Sequence, residues 1–186
     1  MNKPNVIIVM GVSGTGKSTL AQRLAEQIGG DYLDADSFHT SESKALMSQG
    51  VGISQAARQQ WFEQLMSAVE RASKEHITVL AFSGLIKAHR LALSALPINS
   101  LFVLLQGDSK VIYQRLNHRT NHFAPPELLV SQLETFQAID TEQEQVLLVD
   151  IAYDTASQIG FVTAYAHQCW QRSLIKNNDE IDHEND

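Results

Sequence analysis

The sequence predicts an α/β fold with a five-stranded parallel sheet and helices on both of its faces. Short apolar, β-branched runs alternate along the chain with longer segments of helical periodicity, which is typical of consecutive βαβ units. The first apolar run leads through a glycine-rich loop directly into a helical segment, and this strand–loop–helix order is itself a feature of α/β proteins. The 186 residues are enough for one domain with a substantial core.

The predicted strands are short and mostly apolar, as expected of parallel strands that are buried on both faces. The first is an uninterrupted apolar run, and the fourth contains Leu-Phe-Val-Leu-Leu, whereas the second ends in acidic residues. In chain order, the strands are predicted at residues 6–10, 31–36, 77–82, 100–106 and 146–151.

The predicted helices carry apolar residues three or four positions apart. In the first helix, Leu20, Leu24 and Ile28 form this stripe, and two glycines then end the helix. The long third helix carries Trp61 and Leu65 on its apolar face. The helices are predicted at residues 19–28, 41–49, 55–74, 87–95, 109–119, 127–136 and 155–175.

The formal net charge of −7 is concentrated at the C-terminus, where the last eight residues hold five acids and no Lys or Arg. We therefore predict a single domain over residues 1–176 and a disordered acidic tail at 177–186. The nearly neutral remainder does not favour a general binder of nucleic acid or of anionic membranes.

Cys169 is the one cysteine, so no internal disulfide is expected, and no apolar run approaches membrane length. These features predict a cytoplasmic protein.

Residues 11–18 match the phosphate-binding motif G-x-x-x-x-G-K-[ST] in its required place between a strand and a helix. Glycines let the backbone N–H groups point at a polyphosphate, and the helix N-terminus adds positive potential. Lys17 of such a loop reaches the β- and γ-phosphates as a catalytic residue, and the Ser18 hydroxyl binds Mg²⁺. The alternative is a chance glycine-rich turn. We predict a P-loop kinase fold that uses ATP and Mg²⁺, with the nucleotide bound by Gly11, Val12, Ser13, Gly14, Thr15, Gly16, Lys17, Ser18 and Thr19.

Two acids follow the second predicted strand, where ligands of open α/β sheets bind. Asp36 is the candidate catalytic residue that orients or deprotonates an acceptor hydroxyl. Asp34 is a candidate metal residue that holds Mg²⁺ through water. The alternative for either acid is a simple helix cap.

Basic residues form two further candidate groups. Arg115 and Arg119 lie four residues apart at a predicted helix end, followed by a breaking Asn-His-Phe-Ala-Pro-Pro segment. This pattern predicts a small helical lid at about residues 115–136 that closes over the nucleotide, the alternative being a solvated basic face. Lys87 and Arg90 follow the third strand and are candidates to meet an anionic acceptor, or else form a pair on a helix surface. His89 is interpreted as a surface or core histidine.

At these motifs the chain resembles the bacterial gluconate kinases, a family of P-loop small-molecule kinases. The resemblance covers most of the chain from Val6 to about Ile151 and rests on residues 10–18, 33–36, His39, Met47, Gly50, Arg58, Trp61, Ser83, Lys87, Arg90, 107–108, Arg115, Arg119, 122–123, 131–135 and 149–151. It implies transfer of the ATP γ-phosphate to the 6-hydroxyl of D-gluconate, and an enzyme that is often a homodimer. It also implies roles for Arg119 in catalysis, for Arg115 and Arg119 in nucleotide binding, and for Asp36, His39, Arg58, Lys87 and His122 in binding the sugar acid.

The departures from the family pattern lie in the acceptor-binding half of the chain. Thr40 follows His39 where the family usually has Pro, residues 50–58 have lost two acids, and Ile86 replaces a lysine. Lys44 and Lys87 are candidates to supply the missing positive charge. The alternatives are therefore a kinase of another polyol acid or of a shikimate-like acceptor, and a non-catalytic ATP-binding paralogue.

Overall fold

The computed structural model describes residues 3–49, 51–117 and 126–182, the last eleven of these by their backbone. Its strands are β1 (Asn5–Met10), β2 (Asp31–Asp34), β3 (Thr78–Ala81), β4 (Asn99–Gln106) and β5 (Val146–Asp150). They form one five-stranded sheet in the order β2-β3-β1-β4-β5, and every pairing is parallel. The predicted α/β fold with a five-stranded parallel sheet is confirmed.

The helices follow the predicted order, with shifts of one or two residues at most ends. They are α1 (Lys17–Ile28), α2 (Ser41–Ser48), α3 (Gln55–Ala72), α4 (Lys87–Ser94), α5 (Ser109–Asn117), α6 (Pro126–Thr135) and α7 (Thr155–Asp182). A 3₁₀ turn, Ala35–Phe38, separates β2 from α2. None of the described helices is long and apolar enough to cross a membrane.

Two element ends differ from the prediction in an informative way. The second strand stops at Asp34 and not at residue 36, because the Asp34 side chain accepts a hydrogen bond from the backbone N–H of Asp36 and turns the chain into the 3₁₀ turn. The last helix continues to Asp182, seven residues beyond its predicted end and into the segment predicted to be a disordered tail.

The core lies on both faces of the sheet, and β1 at its centre is buried almost completely. Ile7 and Val9 belong to the cluster that packs against α1, α5 and α7. Val6, Ile8 and Met10 belong to the opposite cluster, which packs against α3 and α4. This alternation follows from the two-residue period of a strand. Packing on both faces of the sheet holds the strands in place, and the candidate site residues lie at their carboxyl ends.

Truncating the core beside α3 is expected to destabilise the protein strongly. Leu65 is fully buried, so Leu65→Ala leaves a cavity and should lower the free energy of unfolding by about 2–5 kcal/mol. The same change at Leu148, whose side chain is 53% exposed, should cost much less. Urea denaturation followed by circular dichroism measures both values, and equal losses would contradict the assignment of this core.

Candidate active site

The phosphate loop, residues 11–18, joins β1 to α1 and is shaped by glycines in a conformation that L-residues rarely adopt. Gly14 has φ +88° and Gly16 has φ +98°. A Cβ at Gly14 would also lie 2.8 Å from Leu116 Cγ on α5, so the loop packs closely against that helix. Gly16 caps α1 without any side-chain hydrogen bond, and the first-turn N–H groups are the ones that a helix leaves for a ligand.

Side chains of the phosphate loop stabilise its turn. The Thr15 hydroxyl donates to the Val12 carbonyl at 2.8 Å, and the Lys17 ammonium donates to the same oxygen at 3.2 Å. The Lys17 ammonium therefore lies against the phosphate loop, as expected of a cation that contacts bound phosphates. These residues fit a nucleoside triphosphate, as the motif predicts.

Asp34 connects the end of β2 to the start of α1. Its Oδ2 accepts a hydrogen bond from Tyr32 Oη at 3.0 Å and one from Ser18 Oγ at 3.5 Å, and its Oδ1 accepts the backbone N–H of Asp36 at 3.0 Å. Burial, and then the Asp34 charge, raise the pKa of Tyr32 to about 12. Asp34 thus caps the 3₁₀ turn, which confirms the capping interpretation, and it also lies beside Ser18, so its role in holding Mg²⁺ stays a prediction. A serine hydroxyl and a nearby carboxylate suit Mg²⁺, which is usually held by few protein oxygens together with phosphate oxygens.

Asp36 lies two residues further on, in the first turn of the 3₁₀ segment, and its side chain is exposed. Within the described ranges its carboxylate takes part in no hydrogen bond and no ion pair. An accessible carboxylate next to the Asp34–Ser18 contact is able to accept a proton from a hydroxyl group.

An aromatic cluster with two histidines borders this acid. His39 stacks on Trp61 with ring centroids 4.5 Å apart, and Trp61 Nε1 donates to the Ala35 carbonyl at 2.7 Å. Burial lowers the pKa of His39, Lys44 and Arg58 lower it further, and Asp36 opposes them. The imidazole is therefore neutral around pH 7.

Arg58 lies on α3, one turn before Trp61, and it is half-buried. Among the parts of the chain that the structure describes, its guanidinium forms no ion pair and donates no hydrogen bond. A half-buried cation of this kind is suited to bind an anion that comes from outside the protein. Lys44, by contrast, donates to the Ser37 carbonyl at 3.1 Å.

Lys87 and Arg90 each pair with an acid from the loop between α6 and β5. The Lys87 ammonium is 2.7 Å from Asp140 Oδ2, and this hydrogen bond lowers the pKa of Asp140. The Arg90 side chain is only 1% exposed and pairs with Glu144, with its Nη2 2.9 Å from Glu144 Oε2. Arg90 also donates to the carbonyls of Gly84 and Ala138. The prediction that Arg90 meets an acceptor or lies on a helix surface is wrong, because an acid from a distant loop neutralises it inside the protein.

A cavity of about 670 Å³ lies next to the phosphate loop. Arg115 lines it and donates from Nη2 to the Ile151 carbonyl at 2.9 Å. The cavity is also lined by Gly14, Thr15, Gly16, Thr19, Val111, Gln114, Ile151, Tyr153, Asp154, Thr155 and Gln158. The backbone N–H of Ser157 holds the pKa of Asp154 low.

The lid is described only in part. Arg119 and His122 lie outside the described residues, so their predicted roles stay predictions. Gln132 of α6 contacts the phosphate loop directly, since its Oε1 accepts the backbone N–H of Ser13 at 2.6 Å. Gln137 accepts the Lys87 N–H, also at 2.6 Å. The last helix of the predicted lid is therefore attached to the phosphate loop, and the residues just after the lid are attached to the start of α4.

Three contacts were not anticipated from the sequence. Tyr32 and Asp34 are two residues apart on β2 and therefore lie on the same face of the strand, so the two-residue period of a strand could have predicted their contact. Gln132 contributed only to the family resemblance, and nothing local predicts its partner. His89 stacks on Phe62 and faces Trp61 with its edge, at centroid distances of 4.1 and 6.1 Å, and no spacing in the sequence indicates this.

A glycine loop between a central parallel strand and a helix, with a carboxylate beside the loop serine, defines a P-loop phosphotransferase. Comparison with known families agrees, because residues 13–157 match the family model described as shikimate kinase. A shikimate kinase from Bacteroides thetaiotaomicron shares the fold, with a TM-score of 0.60 at 15% identity over 88% of this chain and 98% of that chain.

More similar proteins narrow the class. A gluconokinase from Arabidopsis thaliana is 37% identical over 74% of this chain and 80% of its own length. The thermoresistant gluconokinase of Escherichia coli is 34% identical over 79% of this chain and 85% of its own. The crystal structure of a gluconokinase from Sinorhizobium meliloti superposes with a TM-score of 0.79 at 31% identity, covering 95% of this chain and 99% of that one. The chain belongs to the gluconokinase family and is a phosphotransferase that acts on an alcohol group.

The Arg90–Glu144 pair is expected to contribute measurably to stability. Glu144→Gln leaves a buried guanidinium without its counter-charge and should lower the free energy of unfolding at pH 7 by about 3 kcal/mol. Glu142→Gln, on an exposed side chain of the same loop, is the matched control.

The same pair predicts a pH dependence. The Arg90 hydrogen bond holds the pKa of Glu144 below its ordinary 4.5, so the stabilisation is fully present above about pH 4.5 and is lost as the pH falls through the lower folded-state pKa. The difference between wild type and Glu144→Gln should therefore shrink on acidification below that value. A difference that stays constant from pH 7 to 3 would contradict the pair's ionic character.

Proposed function

We propose that the protein transfers the γ-phosphoryl group of ATP to D-gluconate and forms 6-phosphogluconate. The observation that carries this proposal is the placement near His39 of an accessible carboxylate, Asp36, and of the Arg58 guanidinium, which has no ion pair among the described residues. Both charges act on the pKa of His39. A sugar acid needs a base or orienting group for its hydroxyl and a cation for its carboxylate. Similarity to proteins named gluconokinase at 34–37% identity supports the choice of acceptor.

The nucleotide is assigned to the phosphate loop and the adjoining cavity. The backbone N–H groups of residues 11–19 and the Lys17 ammonium would bind the phosphates, and Arg115 would contact the nucleotide from the cavity wall. Ser18 would bind Mg²⁺ directly and Asp34 would hold it through water, and the bound ion would supply charge neutralisation of the phosphates. Arg119 is assigned to the transferring group from the lid.

The acceptor is assigned to the opposite side of the loop. Its 6-hydroxyl oxygen attacks the γ-phosphorus and gives its proton to Asp36, while the bond from the γ-phosphorus to the β–γ bridging oxygen breaks and ADP leaves. His39, Arg58, Lys87 and His122 are assigned to the sugar acid. Lys87 would have to exchange its Asp140 partner for the acceptor, so Arg58 is the stronger candidate for the carboxylate.

The remaining parts of this proposal concern assembly and location. We propose a homodimer, which the family resemblance supports, and a cytoplasmic location, which the composition supports. Size-exclusion chromatography with light scattering measures the oligomeric state.

The direct test of the proposal is an ADP-release assay with Mg-ATP and D-gluconate, compared with a no-acceptor blank and with a panel of other aldonic acids and shikimate. We expect gluconate-dependent turnover at about 1–100 s⁻¹, the usual range for kinases. Turnover only with another acid would refute gluconate as the acceptor. Tight ATP binding without turnover on any acceptor would indicate a non-catalytic paralogue.

Asp36→Asn should lower kcat with gluconate by about 10²–10⁴-fold, because the variant loses its proton acceptor while its shape is kept. The exposed position of Asp36 predicts little change in stability. Asp31→Asn, at an exposed acid at the other end of β2, is the control. A kcat for Asp36→Asn within about threefold of wild type at saturating substrates, well short of that loss, would remove Asp36 from this role.

Arg58→Met should raise KM for gluconate by about 10–100-fold, since a charge-assisted hydrogen bond to a carboxylate contributes about 1.5–3 kcal/mol. KM for ATP should change little. Methionine keeps an unbranched apolar side chain against the neighbouring rings, and Arg71→Met, at the exposed far end of α3, controls for loss of a helix arginine. An unchanged KM for gluconate would place the carboxylate elsewhere.

A further inference from the structure

We propose that His89 is a specificity-determining residue of the acceptor site, where its imidazole hydrogen-bonds a hydroxyl group of the sugar acid whose carboxylate Arg58 binds. This inference deepens the proposed function and rests on it for the identity of the acid. Four observations support it: how the ring is held, which of its atoms are accessible, what surrounds it, and which neighbouring cations are already engaged.

The His89 ring is held by α3, although the residue itself is on α4. It stacks on Phe62 with centroids 4.1 Å apart and an angle of 15° between the planes, and it presents its edge to Trp61 at 6.1 Å. Ring contacts on two sides restrict the orientation of the imidazole before any ligand binds. A preorganised polar group discriminates between ligands better than a mobile one.

The ring nitrogens of His89 are available to a ligand. Neither of them hydrogen-bonds another residue of the described ranges, and His89 nitrogens are not among the buried side-chain atoms that lack a partner. The residue is half-buried, so the nitrogens reach the surface from within an apolar surrounding. His39 differs, because its Nδ1 is buried and without a partner.

Both imidazoles lie close enough to Arg58 for its charge to act on them. Trp61 stacks with the His39 ring and makes a T-shaped contact with the His89 ring. Arg58 lies one helical turn earlier than Trp61 on α3. The charges that act on His39 are Asp36, Lys44 and Arg58, and the charge that acts on His89 is Arg58. Burial and Arg58 both lower the pKa of His89, so its ring is neutral around pH 7.

A neutral imidazole next to a guanidinium matches the chemistry of a polyhydroxy acid. The guanidinium suits the carboxylate. The neutral imidazole has one donor and one acceptor nitrogen, and a hydroxyl group is able to bind either of them because it both donates and accepts hydrogen bonds. Lys87 and Arg90, the neighbouring cations on α4, are already paired with Asp140 and Glu144. Of the polar side chains at the start of α4, His89 is the one with no hydrogen-bond or ion-pair partner among the described residues.

The test compares His89→Phe, His89→Gln and His76→Gln in full-length protein. Phenylalanine keeps the ring stack on Phe62 but removes both nitrogens, glutamine keeps a donor and an acceptor, and His76 is a 58% exposed histidine before β3. KM and kcat are measured for gluconate, for deoxy analogues that each lack one chain hydroxyl, and for ATP. Thermal unfolding checks that each variant is folded.

We expect His89→Phe to raise KM for gluconate about tenfold, the effect of one lost hydrogen bond to an uncharged group, with KM for ATP unchanged. The preference of the wild type for gluconate over one particular deoxy analogue should disappear in His89→Phe and be partly kept in His89→Gln. A merely structural role would leave this preference intact, because the phenylalanine ring still packs on Phe62.

Two results with His89→Phe would overturn the inference and leave the proposed function intact. Wild-type KM and wild-type analogue preference in His89→Phe would show that His89 only packs. A loss of the same size in KM for ATP would show a general structural defect. If the wild type phosphorylates another acid of the panel instead of gluconate, the proposed function fails, and the same comparison on that acid decides the role of His89. If the wild type phosphorylates no acid of the panel, both are overturned.

Discussion

The structure of the site depends on the carboxylate of Asp34. Its two oxygens accept hydrogen bonds from Ser18 of the phosphate loop, from Tyr32 on its own strand and from the N–H of Asp36. These contacts end β2, form the 3₁₀ turn that exposes Asp36, and set the distance between the turn and the start of α1. One carboxylate thereby connects the phosphate loop to the turn that carries Asp36. The partial burial of Tyr32, which raises its pKa to about 12, keeps the hydroxyl protonated and able to donate to Asp34.

The acceptor half is organised by packing more than by charge. Trp61 is anchored through Nε1 to the Ala35 carbonyl, so α3 is attached to the turn that follows Asp34. His39 and His89 then pack on the Trp61–Phe62 pair, and Arg58 projects from the same helix. The cations of α4 are neutralised by Asp140 and Glu144. Within the described residues, Lys44 and Arg58 are the cations near His39 that no acid neutralises, and Arg58 is the one we propose for the carboxylate of the acceptor.

Much of the fold was predictable because its signals are local. All of the strands except β2 are mainly apolar runs, and the motif at residues 11–18 indicates a strand before it and a helix after it. The nucleotide side follows from that motif for the same reason. Asp34 and Asp36 were recognisable as candidates because Asp34 ends β2 and Asp36 follows it, at the edge of the sheet where ligands of such folds bind. The end of β2 was misplaced because a side-chain cap, which propensity does not record, turns the chain at Asp34.

The rest could not be predicted, because it depends on pairs of residues that are distant in the sequence. Arg90 and Glu144 are 54 residues apart, and Ser13 and Gln132 are 119 apart. The most direct test of the account is phosphorus NMR of the reaction of the wild-type protein with Mg-ATP and D-gluconate. The account predicts one phosphate monoester, on the 6-oxygen of gluconate, formed in equal amount with ADP. No ester, or an ester on another oxygen, would contradict the assignment of the acceptor site.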